Sequence, residues 1–237
     1  MIRDMNITAV LYLYALFVGA SYLIGYWLPF GLNILAFADL TDIIKASIIP
    51  TIPAVGLLLI YSALDGINSI SKKQHDDYIA EGGFSKYYMR FMVVYGHAIT
   101  LLLAGNFAYT IVVEPEMQKL KGAFPLVSLI VFCYLIYGNR HMLFLDVKSR
   151  VFIVSLICFL PTAAFSAGNR DGESTLRLEG TIWEVKSAEP CASGATDLVL
   201  LASLNSKYLT MSKQDKSICV IQEGNVQLTR KHLPGES

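Results

Sequence analysis

Long apolar segments constrain the fold of this 237-residue chain more than any other feature. A helix of roughly 20 apolar residues crosses the hydrocarbon core of a bilayer, and it satisfies its own backbone hydrogen bonds there. The sequence therefore predicts a transmembrane all-α bundle of about five helices. The predicted spans cover approximately residues 7–30, 44–64, 91–113, 124–139 and 151–167. The fourth is short, and a re-entrant element is the alternative there.

Composition agrees with a membrane protein and excludes two other classes. Hydrophobic residues make up 54% of the chain and charged residues only 16%, whereas soluble proteins carry roughly 25% charged residues. The 19 basic residues balance the 19 acidic ones, so no basic surface for nucleic acid is indicated. Such an apolar chain is also not intrinsically disordered.

The distribution of Lys and Arg predicts the orientation, because basic residues near span ends stay in the cytoplasm. Eight basic residues fall at the N-terminus and in the second and fourth inter-span segments, against three in the other two loops. We therefore expect a bacterial inner-membrane protein with a cytoplasmic N-terminus and a periplasmic C-terminal domain. The eight are Arg3, Lys72, Lys73, Lys86, Arg90, Arg140, Lys148 and Arg150, and the three are Lys45, Lys119 and Lys121.

The predicted end of the fifth span resembles an internal signal sequence. A short apolar run after Arg150 ends in Pro161 and the small residues of 163–167. This supports export of everything that follows. Small residues at a simple span end are the main interpretation, and cleavage near Ser166 is the alternative.

The remaining residues, 168–237, form a predicted β-rich extracytoplasmic domain, separate from the helical bundle of 1–167. Alternating apolar and polar residues between turn-forming residues indicate short strands. A small meander or a partly closed barrel is expected. The predicted strands are 176–179, 181–186, 198–202, 207–211, 217–222 and 226–229.

Cys191 and Cys219 are the cysteines outside the predicted spans, and we expect them to form a disulfide. The bond would close a loop of 28 residues and stabilise the small domain by about 3–4 kcal/mol. Two buried free thiols or a metal site are the alternatives. No third Cys or neighbouring His completes a ligand set, so neither a metal nor a cofactor is expected. Cys133 and Cys158 are interpreted as apolar packing residues within spans.

Polar residues inside or beside the spans are candidate functional residues, because they are costly in lipid. His97 and Asn106 lie in the third span, on nearly opposite helix faces. Asp39 and Asp42 precede the second span, in which Pro50 and Pro53 are expected to break the helix and expose polar groups. For His97 the structural alternative is a hydrogen bond across a helix contact. For Asp39 it is a role in a helix cap.

Small residues and aromatic residues support packing rather than chemistry. Gly96, Thr100, Ala104 and Ala108 recur every four positions, which predicts a close helix contact. Tyr22, Tyr26 and Trp27 are interpreted as an aromatic belt at the outer membrane interface. Trp183 is expected in the core of the β domain, with a contact surface as the alternative.

No nucleophile elbow, phosphate loop, zinc-protease motif or dinucleotide fingerprint occurs in the sequence. We therefore expect a non-enzymatic protein that binds a protein partner through its C-terminal domain. A toxin-immunity or exclusion protein and an accessory subunit are the forms considered. The alternative is a channel or transporter subunit that uses the proline-containing second span and His97.

Overall fold

A computed structural model describes residues 6–68, 77, 80, 82–135, 150–179, 181–187, 197–205, 207–222 and 226–232. The chain is mostly helical and carries a small antiparallel five-stranded sheet near its C-terminus. The predicted combination of helices with a β-rich C-terminal region is confirmed. The helices are α1 (Ile7–Trp27), α2 (Leu40–Asn68), α3 (Gly83–Val113), α4 (Leu120–Cys133) and α5 (Arg150–Leu176).

Among the described residues, three helical segments are long and apolar enough to cross a membrane, namely Ile7–Phe30, Val94–Val113 and Ile153–Leu176. Helix α4 has 14 residues, fewer than a span requires, and the predicted fourth segment beyond Leu135 lies outside the described residues. Helix α2 covers the predicted second span without being one of the three. The total of five spans therefore stays a prediction.

Helix α2 is continuous through Pro50 and Pro53, so the expected break in the second span is wrong. Each proline lacks an N–H group and leaves one carbonyl, at Ala46 or Ile49, without its usual intrahelical donor. The loss of single bonds does not end the helix, because the neighbouring turns keep theirs. Pro50 is also buried, which shows that the segment packs closely at this point.

Helix α5 extends further than the predicted fifth span, continuing through Ser166 to Leu176. It ends where Leu178 adopts a left-handed conformation (φ 61°) and the Glu179 N–H donates to the Ser174 carbonyl. Residues 176–179 are therefore a helix end, and the strand predicted there is wrong. The polar residues of the last turns remain helical because α1 supplies hydrogen-bonding partners for them, as described below.

The sheet contains the other predicted strands, whose bounds differ from the expected ones by at most three residues. Its order is β4-β3-β2-β1-β5, and all pairs are antiparallel. Strands β1–β4 form a meander, and β5 lies beside β1 at an edge. The strands are β1 (Thr181–Ser187), β2 (Leu198–Leu204), β3 (Lys207–Ser212), β4 (Ile218–Gln222) and β5 (Val226–His232).

The chain divides into two compact units. The first comprises residues 1–49 and 164–237, and thus contains α1, the start of α2, the end of α5 and the sheet. The second comprises residues 50–163.

Glycines bring α1 and α5 into backbone contact within the first unit. A Cβ at Gly25 would overlap the Phe165 carbonyl, and one at Gly168 or Gly172 would overlap the carbonyl of Tyr22 or Tyr26. Because later residues of α1 face later residues of α5, the two helices are parallel.

The second unit is held by contacts of α4 with α3 and α5. Gly122 lies against Phe107 and Ile111 of α3, and the Ser128 and Thr162 hydroxyl oxygens of α4 and α5 are 2.6 Å apart. The glycine of the small-residue stripe predicted on α3 behaves differently, since a Cβ at Gly96 would meet no described atom within 4 Å. Close backbone contacts lie at the glycines of α1, α4 and α5 instead.

Candidate functional site

A cavity of about 300 Å³ lies in the first unit between the end of α1, the start of α2 and strand β2. This volume is at the lower end of the range of roughly 300–1,000 Å³ that small-molecule sites occupy. Its walls combine aromatic, aliphatic and charged side chains. They are Tyr22, Leu23, Tyr26 and Trp27 from α1; Asp42, Lys45, Ala46 and Ile49 from α2; and Leu201, Ala202, Ser203 and Leu204 from β2.

Side-chain hydrogen bonds fix the sheet on the helices that surround the cavity. The Tyr26 hydroxyl is 3.2 Å from the Leu201 carbonyl oxygen, and the Asn205 N–H donates to Asp42 Oδ2 over 3.1 Å. Lys216 Nζ donates to the last helical carbonyl of α5, at Leu176. The cavity is therefore bounded by elements that are tied to one another at several points.

A β-bulge in β2 explains why the Leu201 carbonyl can accept from α1. The register with β3 shifts between Leu200 and Ala202, so Leu201 has no partner residue in that pair. A bulge frees backbone groups from the ladder and turns them outward. Leu201 therefore presents its carbonyl to Tyr26 while its side chain lines the cavity.

Asp39 and Asp42 form a reciprocal cap at the start of α2. The Asp42 N–H donates to Asp39 Oδ1 over 2.7 Å, and the Asp39 N–H donates to Asp42 Oδ2 over 3.3 Å. Such an arrangement satisfies backbone donors that a helix start leaves free. Of the two predicted site residues, Asp39 serves the helix, whereas Asp42 also lines the cavity.

Lys45 lies one turn after Asp42, on the same side of α2. Residues three apart on a helix are surface neighbours. Lys45 is exposed and makes no ion pair or hydrogen bond with any residue that the structure describes. Asp42 is half-buried. The cavity thus carries a carboxylate and an ammonium group that do not neutralise each other directly.

The aromatic residues at the end of α1 belong to the interior of the first unit, so their interpretation as an interfacial belt is wrong. Tyr22 is 8% exposed and Trp27 is 0% exposed, because α5 and the sheet cover this end of the helix. The Tyr22 hydroxyl donates to Asp171 Oδ2 over 3.0 Å. Within the described part of the chain, Trp27 Nε1 and Asn169 Nδ2 are buried without a hydrogen-bond partner.

The other predicted site residues do not line this cavity. His97 and Asn106 are exposed on α3, which belongs to the second unit. Cys219 is half-buried on β4 and is not among the free cysteines, which are Cys133 and Cys158. Cys191 lies outside the described residues, so the disulfide stays a prediction. Over the described ranges, no three His, Cys, Asp or Glu residues form a group that could hold a metal ion.

Tyr26, Lys45 and Leu201 line the cavity but were not predicted as site residues. Tyr26 and Leu201 are 175 positions apart, and no local pattern joins them. The available signal was the Gly168–Gly172 spacing, which is typical of close helix packing and could have indicated a partner for this part of α5.

A second exposed feature lies at the sheet edge. Trp183 is 43% exposed and stands opposite Arg230 of the edge strand β5, so its expected place in the core is wrong. Val185, on the same face of β1, is 1% exposed, which shows that the core ends between these two residues. No protein-family model, curated protein or solved structure matches this chain.

Proposed function

We propose that this chain is a multi-pass inner-membrane protein that acts by binding a protein partner through its C-terminal sheet, not by catalysis. The observation that carries the proposal is the exposed Trp183 beside Arg230 at the sheet edge. Tryptophan and arginine are the residues most enriched among those that dominate binding energy at protein interfaces. An exposed tryptophan in a small domain is otherwise unfavourable for solubility.

The edge strand supports a specific mode of binding. Strand β5 pairs with β1 on one side only in the described sheet, so its other side presents backbone donors and acceptors. Residues 227–230 of this strand are exposed. An extended segment of a partner can add to such an edge by main-chain hydrogen bonds, with side chains providing specificity.

Charge favours an acidic partner segment. Lys186 of β1 and Arg230 of the edge strand β5 are exposed, on opposite faces of the sheet, whereas the nearby Glu184 forms an ion pair with Lys213. Neither Lys186 nor Arg230 forms an ion pair with a residue that the structure describes, so both contribute positive charge near this edge. Complementary charge increases association rates and excludes wrong partners.

The parallel arrangement of α1 and α5 supports the predicted orientation. Both helices contain candidate spans, and parallel neighbours must enter the bilayer from the same side. The chain then crosses an odd number of times between them, and the sheet lies on the side opposite to the N-terminus. With the basic-residue distribution, this favours a periplasmic sheet. Oxidising conditions there would allow the Cys191–Cys219 disulfide, in agreement with Cys219 not being a free thiol.

Two biological roles suit a surface of this kind. A protective protein, for toxin immunity or exclusion, would bind the foreign protein at the outer face of the membrane. An accessory subunit would bind a resident membrane complex there. Both roles require a partner at the β5 edge, and the identity of the captured protein distinguishes them.

The test uses the full-length protein in its native membrane with a photo-crosslinking residue at position 228, an exposed position of β5 on the same face as Trp183 and Arg230. Trp183→Ala and Arg230→Ala should each reduce co-purification of the captured partner at least tenfold, because hot-spot truncation costs about 2 kcal/mol or more. Val220→Ala is the matched control, since Val220 is 49% exposed on β4 at the opposite edge. Retention of the partner by both edge variants would refute the proposal.

The channel or transporter alternative is separated by variants away from the sheet. His97→Ala and Asp39→Asn should leave partner capture unchanged, and asparagine preserves the helix cap. If these variants lose the function of the unmodified protein in cells while Trp183→Ala keeps it, the transport alternative is favoured instead.

A further inference from the structure

We propose that the cavity beneath the sheet binds a zwitterionic aminoalkyl phosphate, with its ammonium group at Asp42 and its phosphate at Lys45. This ligand class occurs as a phospholipid headgroup and as a free small molecule. The proposal is independent of the protein partner at the β5 edge, because the two sites share no residues.

Two opposite charges line the cavity. Asp42 and Lys45 line the same cavity three positions apart on α2, and neither forms an ion pair with a described residue. Both described hydrogen bonds to the Asp42 carboxylate end on Oδ2, so Oδ1 is available. The two opposite charges lie on one helix face but do not pair with each other. They therefore suit a ligand that carries a positive and a negative group separated by a short linker.

The aromatic wall of the cavity suits an ammonium group. Tyr26 is half-buried beside the cavity, and its ring lies 5.5 Å from that of Trp27. Ammonium groups are attracted to the faces of tyrosine and tryptophan, in addition to a nearby carboxylate. The half-buried Asp42 has a lower local dielectric than exposed Lys45, so the ammonium end should contribute most to selectivity.

The rest of the cavity wall is apolar. Leu23, Ala46, Leu201 and Leu204 are all at most 9% exposed, and Ile49 continues this surface outward. They can contact the apolar stem that follows a headgroup. An anionic lipid without an ammonium group would place no cation at Asp42, which disfavours it.

Binding can be measured by fluorescence, because Trp27 and Trp183 are the two tryptophans of the chain. In a Trp183→Phe background, Trp27 on the cavity wall becomes the only tryptophan emitter. The full-length protein in a nonionic detergent is titrated with dihexanoyl phosphatidylethanolamine, dihexanoyl phosphatidylglycerol and free phosphoethanolamine. We expect a saturable change with the zwitterionic lipid and at least tenfold weaker binding of the anionic lipid.

Two variants test the proposed contacts. Asp42→Asn should raise the Kd of the zwitterionic lipid about tenfold and remove the preference over the anionic lipid, while its amide oxygen still accepts from Asn205. Lys45→Gln should weaken both lipids. Lys207→Gln is the control, since Lys207 is an exposed lysine of the same unit that does not line the cavity.

The probes also separate the two sources of the ligand. If free phosphoethanolamine binds with an affinity near that of the zwitterionic lipid, the proposal is supported and the ligand is a soluble molecule. If only the lipid binds, the proposal is supported and the ligand is a phospholipid headgroup. Equal affinity for both lipids, no saturable response to either zwitterion, or an unchanged preference in Asp42→Asn would overturn it. If Asp42→Asn lowers the melting temperature, Lys45→Gln decides, because exposed Lys45 has no hydrogen bond or ion pair with a described residue to lose. Unchanged binding of both lipids by Lys45→Gln would then overturn the proposal.

Discussion

The Tyr26 hydroxyl connects three segments of the first unit with a single proton. It lies 3.3 Å from Thr175 Oγ1 of α5 and 3.2 Å from the Leu201 carbonyl oxygen of β2. Thr175 donates its own proton to the Asp171 carbonyl, so it acts toward Tyr26 as an acceptor. The proton of Tyr26 is therefore shared between two acceptors.

Removing this hydroxyl should destabilise the first unit. Tyr26→Phe leaves the Leu201 carbonyl without its described donor, at a cost of about 1–3 kcal/mol. Denaturant unfolding in detergent micelles measures the difference. Tyr12→Phe is the control on the same helix, because Tyr12 is 44% exposed. Equal stability of the two variants would contradict the importance of the bulge contact.

A second prediction at this scale concerns Asp215 in the turn between β3 and β4. Hydrogen bonds from Ser212 and Ser217 hold the pKa of this carboxyl below its ordinary value. The native state then binds its proton less readily than the unfolded state, so this contribution is present above the ordinary pKa and is lost as pH falls through the lowered one.

Unfolding measured from roughly pH 5 to pH 2 should therefore show a loss of stability that Asp215→Asn reduces. The comparison is the slope of stability against pH in the two proteins. The same slope in both would show that Asp215 does not contribute.

Among the elements, the parallel pair α1 and α5 depends most on glycine. Gly168→Ala would place a methyl group against the Tyr22 carbonyl oxygen, where the backbone must move to accept it. We expect a loss of about 1–3 kcal/mol in unfolding free energy. The measurement is thermal or denaturant unfolding of the purified protein.

Gly96→Ala is the matched control on another apolar helix, because a Cβ there meets no described atom within 4 Å. It should be neutral or stabilising by up to about 1 kcal/mol, the gain in helix propensity. A larger loss of unfolding free energy in Gly96→Ala than in Gly168→Ala would contradict the packing described for α1 and α5.

The secondary structure was largely predictable where it depends on local periodicity of apolar residues. Alternation between 181 and 229 predicted the strands β1–β5, since each strand carries its own apolar face. The end of α5 was not predictable in this way. Its polar last turns stay helical because Tyr22 and Tyr26, nearly 150 residues earlier, bind Asp171 and Thr175.

The cavity was less predictable, since α1, α2 and β2 contribute to it from distant parts of the sequence. Asp42 was identified as a candidate from its position before an apolar segment. Lys45 was counted only toward orientation, and the aromatic residues were placed in lipid headgroups. The sheet, which comes from the other end of the chain, buries these aromatic residues and reverses that last interpretation. No pattern within a single segment of the sequence predicts this burial.

For the whole molecule, the parallel contact of α1 and α5 predicts which side the sheet occupies. A C-terminal alkaline phosphatase fusion should be active and a C-terminal green fluorescent protein fusion dark, as expected of an exported end. Fusions after residue 68, at the end of α2, should show the opposite pattern if five spans exist. A bright C-terminal fusion would refute the predicted orientation.

The same contact has a consequence for biosynthesis. The surface of α1 that carries Gly25 packs against α5, and Tyr22 precedes its neighbour Gly168 by about 146 residues. At roughly 5–20 residues per second, a ribosome needs about 7–30 s to deliver that partner. During this interval the earliest helix stays incompletely packed, so an insertion factor that shelters it until translation ends would improve the yield of correctly assembled protein.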